Sequence, residues 1–249
     1  MLVDTHCHIY KSYYEDIDEV IKRAREVGIN KLINNGCDAR SNAEILSLVL
    51  KYEGMYAAIG IHPSEADSYE PADLDFIEKN LSNDKVVAIG EIGLDYYWVK
   101  NNRERQIELF EHQLRLAEKY EFPVIVHNRD ATFDVIDILR KYNVKGVIHS
   151  FSGSYETAKE LVDMGYFLGI NGVVTFKNSK LGEVLKKIGL ENLILETDSP
   201  YLTPHPFRGE KNDPAKVKVI AEYLADLFHK NIVEIEKITN ENVVRIFDI

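Results

Sequence analysis

The chain reads as an α/β protein, a single TIM-like (β/α)8 barrel domain over residues 1–249. Three observations predict this class. Eight short apolar runs rich in β-branched residues alternate with amphipathic stretches, the pattern of βαβ units on a parallel sheet. Imidazoles and carboxylates gather just after those runs, where a barrel collects its polar groups. The length of 249 residues suits one barrel of this kind. A doubly wound sheet shares the local pattern, but polar residues at the ends of many different strands favour the barrel.

The first run, Leu2–Thr5, precedes a helical stretch at Asp16–Val27. Lys31–Asn34 leads to Asn42–Lys51, Tyr56–Ile59 to Leu74–Asn80, and Val86–Ile89 to Arg103–Glu121. In that last helix Ile107, Phe110, Leu114 and Ala117 fall on one face, and Pro123 stops it and opens the next strand. Val124–Val126 leads to Ala131–Lys141, Val147–Ile148 to Tyr155–Met164, and Tyr166–Leu168 to Leu181–Lys187. Leu193–Leu195 is followed by two helical stretches, Ala215–His229 and Val233–Phe247.

Composition narrows the function classes. Hydrophobic residues at 45% and charged residues at 29% are ordinary for a globular chain with a sizeable core. A net charge of −11 argues against a protein that wraps nucleic acid with its whole surface, because phosphate neutralisation supplies most of such affinity. It leaves room for an enzyme that meets a phosphodiester with bound metals and a few local cations. Cys7 and Cys37 form no C-x-x-C pair, and two isolated thiols fit a reducing compartment. The N-terminus has no basic region followed by an apolar stretch, and no run approaches a membrane span. The protein is expected in the cytoplasm, without a membrane partner or an obligate protein partner. If the first histidines do chemistry, no cleavable leader precedes them.

The polar residues follow a pattern. Asp4, His6 and His8 end the first strand, and side chains two apart on a strand point the same way. His6 and His8 can therefore reach one metal, while Cys7 faces the helices. Asp4 shares their face, either orienting a histidine or making a core hydrogen bond. His62 follows the third strand, Glu91 ends the fourth, His127 the fifth, His149 the sixth and Asp198 the eighth. Five of the eight histidines sit just after a strand. His112 and His229 read as ordinary solvated residues, and His205 lies in a Pro-rich loop. Taken singly, Glu91 could cap a helix and Asp198 could serve a turn. Taken together, imidazoles and carboxylates converging on one mouth call for a cation, and mixed nitrogen and oxygen ligands suit Zn²⁺ or Mn²⁺, less readily Mg²⁺ alone.

These residues carry a resemblance that runs from one end of the chain to the other. Asp4-Thr5-His6-Cys7-His8, Gly60-Ile61-His62-Pro63 and Gly90-Glu91-Ile92-Gly93-Leu94-Asp95-Tyr96-Tyr97 are followed by His127-Asn128-Arg129-Asp130-Ala131 and His149-Ser150-Phe151-Ser152-Gly153. Leu195-Glu196-Thr197-Asp198-Ser199-Pro200-Tyr201-Leu202, Pro206–Pro214 and Thr239–Phe247 complete the set. In order and spacing the chain resembles the TatD-type metal-dependent deoxyribonucleases, a branch of the amidohydrolase-like hydrolases. The resemblance implies two divalent metals, with His6, His8, Glu91 and Asp198 around one, Glu91, His127 and His149 around the other, and Glu91 bridging. Three positions depart from the family pattern: Ser150 stands where many relatives have Cys, and Glu210 and Asp213 where Lys and Glu are usual. The Glu210 change removes a cation near the expected substrate and leaves the ligands untouched.

The expected reaction is phosphodiester hydrolysis by water activated between the metals, the substrate being DNA presented as a single strand or a 3′ end. Asp198 is the candidate proton acceptor as well as a ligand. His62 is offered as a contact to phosphate or leaving group. Arg129, Arg208 and Lys211 are candidates for flanking phosphates, a solvated surface role being the alternative for each. Asp95 and Glu196 read as supporting residues. The first rival is an ester or amide hydrolase with the same metals, such as a D-aminoacyl-tRNA deacylase; the second is a non-catalytic metal-binding scaffold.

Overall fold

The computed structural model describes residues 1–249. In chain order its elements are β1 (Leu2–Cys7), α1 (Ile17–Glu26), β2 (Ile29–Asn35), α2 (Ala39–Lys51), β3 (Met55–Ile59), α3 (Pro71–Asn80), β4 (Val86–Asp95), α4 (Arg103–Tyr120) and β5 (Val124–Arg129). They continue with α5 (Thr132–Leu139), β6 (Gly146–Ile148), α6 (Tyr155–Asp163), β7 (Phe167–Ile170), α7 (Leu181–Ile188), β8 (Leu193–Leu195), α8 (Val217–Phe228) and α9 (Ile232–Phe247). The strands form one eight-stranded sheet in sequence order, with a helix after every strand. This is the topology of a (β/α)8 barrel. No helix is long and apolar enough to cross a membrane.

The chain divides into two compact units, residues 1–34 with 150–249, and residues 35–149. In the first, α1 shows why its residues become a helix. Asp16 caps it by accepting from Glu19 N, acids open it, Arg23 and Arg25 close it, and Ile17, Val20, Ile21 and Ala24 form the buried stripe. At the other end of the chain Asn231 and Glu234 make a reciprocal capping box that starts α9. Parallel pairing joins β1 with β2 and β7 with β8. Beyond the regular strands, a bridge joins Cys7 and Ser199.

In the second unit β4 is the longest strand, and all ten of its residues are buried. It pairs with β3 on one side and β5 on the other, with register running to Asp95↔Arg129. Glu91 therefore lies in the middle of β4 and not at its end, and β5 likewise runs through His127 to Arg129. The sequence reading stopped β4 early because Gly90 and Gly93 resemble turn residues. Here they let strands approach closely: Gly93 has φ +141°, and a Cβ there would overlap the His127 carbonyl.

The buried face of α4 also differs from the expected stripe. Phe110, Leu114 and Ala117 are buried, but Ile107 is only half-buried, and Gln106 and Gln113 take core positions. Both amides bond backbone, and Gln106 also donates to Asn102 Oδ1. Gln113 accepts from Ile61 N and donates to Ile61 O, and Gln106 accepts from Asp95 N and donates to the carbonyls of Asp95 and Val99. Glutamine wins these positions because the ends of β3 and β4 carry peptide groups that no strand partner satisfies.

Candidate metal centre

The first unit brings His6, His8 and Asp198 together. His6 and His8 project on one side of β1, their Nε2 atoms 3.1 Å apart. The Asp198 Oδ1 lies 3.4 Å from His8 Nε2 and 3.8 Å from His6 Nε2. Asp198 stands three residues beyond the end of β8, so it is a loop residue, correcting its expected place at a strand end. Its backbone adopts the left-handed conformation, φ +55°, which aspartate tolerates better than most residues. Asp198 N donates to His6 O and His8 N donates to Ser199 O, so β1 itself grips the loop that presents the carboxylate. Tyr10 Oη lies 2.7 Å from the other nitrogen of His8, Nδ1, and holds that ring from behind.

Asp4 is fully buried and accepts from the amide and hydroxyl of Thr197 and from His6 N, tying β1 to the loop after β8. Burial pushes its carboxyl well above the usual carboxylate range, against those hydrogen bonds. Of its two expected roles the structure shows the core hydrogen bond. Cys7 points away from the histidines, as strand alternation requires, and donates to Ile33 O. Glu196 accepts from Ser150 N and Asn171 Nδ2.

The second unit gathers histidines from within β5 and from just beyond β3 and β6 around one carboxylate. Glu91 Oε1 lies 2.7 Å from His127 Nδ1, 3.4 Å from His149 Nε2 and 3.7 Å from His62 Nε2. His62 caps the turn at Pro63–Glu65, where its Nδ1 accepts from Ser64 N, leaving Nε2 for Glu91. The potential ligand atoms of His62, Glu91 and His127 all lie within 4.8 Å of one another. His62 is thus a possible ligand, a role the sequence reading did not give it.

Both ring nitrogens of His127 face carboxylates, Nδ1 toward Glu91 and Nε2 3.2 Å from Asp95 Oδ2. Burial opposes a charge on this ring, yet the hydrogen bonds with Asp95 and Glu91 outweigh it and hold the imidazole above its ordinary range. Asp95 responds in the opposite sense. Burial would raise it, but His127 and the amide of Trp98 hold it below the usual carboxylate range. A ring placed between two carboxylates is satisfied either as imidazolium or as a neutral ring with a metal on one nitrogen and N–H on the other. The donor chemistry of both clusters therefore fits a divalent metal: neutral nitrogen mixed with anionic oxygen, from buried or half-buried side chains.

Each of the expected phosphate contacts has a local partner. Arg129 ends β5, exposed, with its guanidinium 4.8 Å over the Tyr97 ring. Arg208 is exposed, donates to Thr203 O and covers Phe176 at 4.1 Å. Lys211 donates to Tyr13 O. Asp213, one of the departures from the family pattern, accepts from Arg23 Nε at 3.1 Å and from Ala215 N, so its job is local. His112, His205 and His229 are exposed.

Comparison with known proteins fits this arrangement. The model of the TatD related DNases matches residues 3–248. The chain is 43% identical to an uncharacterized metal-dependent hydrolase, YabD, of Bacillus subtilis, over 100% of both chains. It is 36% identical to YcfH of Escherichia coli, another uncharacterized metal-dependent hydrolase, covering all of this chain and 96% of that one. Among solved structures, the TatD homologue YjjV of Escherichia coli superposes with a TM-score of 0.94 at 32% identity, over 100% of this chain and 98% of that one. The fold is that of the metal-dependent hydrolases. Within that class the chain belongs to the TatD related DNase family.

Proposed function

We propose that the protein is a divalent-metal-dependent deoxyribonuclease that hydrolyses phosphodiesters of single-stranded DNA from 3′ ends. The observation that carries this reading is the pair of histidine–carboxylate clusters, above all the part-exposed Asp198 carboxylate held beside His6 and His8. In the proposal His6, His8 and Asp198 hold one ion and Glu91, His127 and His149 a second, zinc, manganese or magnesium. Bound there, such ions lower the pKa of water and offset charge on phosphoryl oxygens. Asp198 takes the proton of the attacking water as the ester P–O bond breaks. His62 contacts the scissile phosphate or its leaving group. Arg129, Arg208 and Lys211 supply the cations for flanking phosphates.

The test is hydrolysis of a single-stranded oligonucleotide labelled at either end, with Mg²⁺, Mn²⁺ or Zn²⁺ restored after chelation. Metal-dependent shortening from the 3′ end is expected. Asp198→Asn is expected to reduce the rate by about 10²–10⁴-fold while circular dichroism stays unchanged. Retained activity in that variant removes Asp198 from the mechanism. If metal-loaded protein cleaves no nucleic acid, the nuclease reading falls, and carboxylic esters and amides, including D-aminoacyl-tRNA, become the substrates to try.

A further inference from the structure

We propose that the loop after β4 is a stacking platform for unpaired nucleobases, built by Tyr97 and Trp98. The proposal rests on the nuclease reading and gives its substrate a point of contact outside the ligands. Trp98 is 76% exposed and Tyr97 42%, and their rings meet edge to face with centroids 4.7 Å apart. Single apolar residues on a surface are common, but two adjoining large aromatics left in water are not explained by folding.

The loop that carries them is well held. Tyr97 N and Trp98 N both donate to Asp95 Oδ1, at 2.9 and 2.8 Å, while Asp95 Oδ2 faces His127 Nε2. One buried carboxylate thus fixes both a histidine of the ligand cluster and the aromatic loop. Gln106 closes the loop from α4 through the carbonyls of Asp95 and Val99. Tyr96 adds a tie through its hydroxyl to Asp134, which Arg103 also pairs.

The charge around the rings suits a polyanion. Arg129 lies 4.8 Å and Lys100 6.0 Å over the Tyr97 ring, and Arg103 covers Tyr96 at 5.0 Å. Of the nearby cations Arg103 pairs Asp134 and Arg105 pairs Asp67, so Arg129 and Lys100 over the Tyr97 ring carry the charge contact, in a chain whose net charge is −11. Exposed aromatic faces bordered by cations are how proteins hold single strands without sequence preference, since every base offers a π face and every linkage a phosphate. A duplex end offers fewer free base faces, so the chemistry selects an unpaired strand.

Trp98 is the chain's only tryptophan, so its emission reports the platform directly. The metal-loaded protein is titrated with a cleavage-resistant phosphorothioate oligothymidylate and with an abasic oligomer of the same charge. Quenching by the first and not by the second is expected; equal quenching by both overturns stacking in favour of a charge contact. In Trp98→Ala the loss of kcat/KM on a single-stranded oligonucleotide should exceed that on bis(p-nitrophenyl) phosphate by about tenfold, carried by KM, with partial rescue in Trp98→Phe. Equal losses on the two substrates, or none, overturn the platform. If the metal-loaded protein cleaves no oligonucleotide while the oligothymidylate still quenches Trp98, the nuclease reading fails and the platform stands.

Discussion

The two histidine–carboxylate clusters are built differently. In the first, both imidazoles come from one strand two residues apart, and the carboxylate is set by backbone hydrogen bonds from β1 to residues 198 and 199. In the second, His62, His127 and His149 come from three different strands or the turns after them and meet a carboxylate from mid-strand, with Asp95 behind His127. The first is held by main chain, which most substitutions leave alone. The second is held by side chains and close strand contacts, so residues that touch no metal control its geometry.

That difference can be broken most sharply at His127. His127→Ala should deplete the metal of the second cluster and leave the first loaded, lowering metal content by about half and turnover by about 10²-fold or more. Unchanged metal by elemental analysis would contradict the assignment. Gly93→Ala comes next. The added methyl meets the His127 carbonyl, so the variant should lose about 1–3 kcal/mol of stability in denaturant melts and bind the second metal more weakly. A change at the first cluster instead would show that the two are not independently supported.

The smallest effect is one of pH. In metal-free protein the His127 pKa is raised in the folded state. Its contribution to stability is therefore fully present below the ordinary histidine pKa of about 6.5 and is lost as pH rises through the folded value. Asp95 is lowered, so its contribution is present above the usual carboxylate range and lost as pH falls through its own folded value. Metal requires the neutral ring, so affinity at the second cluster should climb as pH rises through the same His127 window. A histidine resonance titrating above the ordinary range, and returning toward it in Asp95→Asn, is the expected NMR result.

Much of the architecture was legible in the sequence because it is periodic. Each expected apolar run overlaps a strand of the sheet, Tyr166 falling one residue before β7, and Leu193–Leu195 matches β8 residue for residue. Pairing of His6 with His8 was legible for the same reason, since alternation along a strand is a local rule. The full length of β4 was not, because glycines that signal turns in a sequence serve here to bring strands together. Nor were Gln106 and Gln113, whose burial makes sense only once the unpaired strand ends beside them are known. Asp95 read as a supporting residue, but its double hold on His127 and on the Tyr97–Trp98 loop depends on β4 and β5 pairing as far as Arg129.

By itself, then, the sequence determined the order of strands and helices and the chemical kinds of donor, because both are written in residue type and spacing. Tertiary structure alone decided which nitrogen of each histidine faces which oxygen, that His62 joins Glu91, and that Asp198 reaches His6 and His8 from a left-handed turn beyond its strand. Those outcomes depend on distances between segments far apart in the chain, which only packing sets.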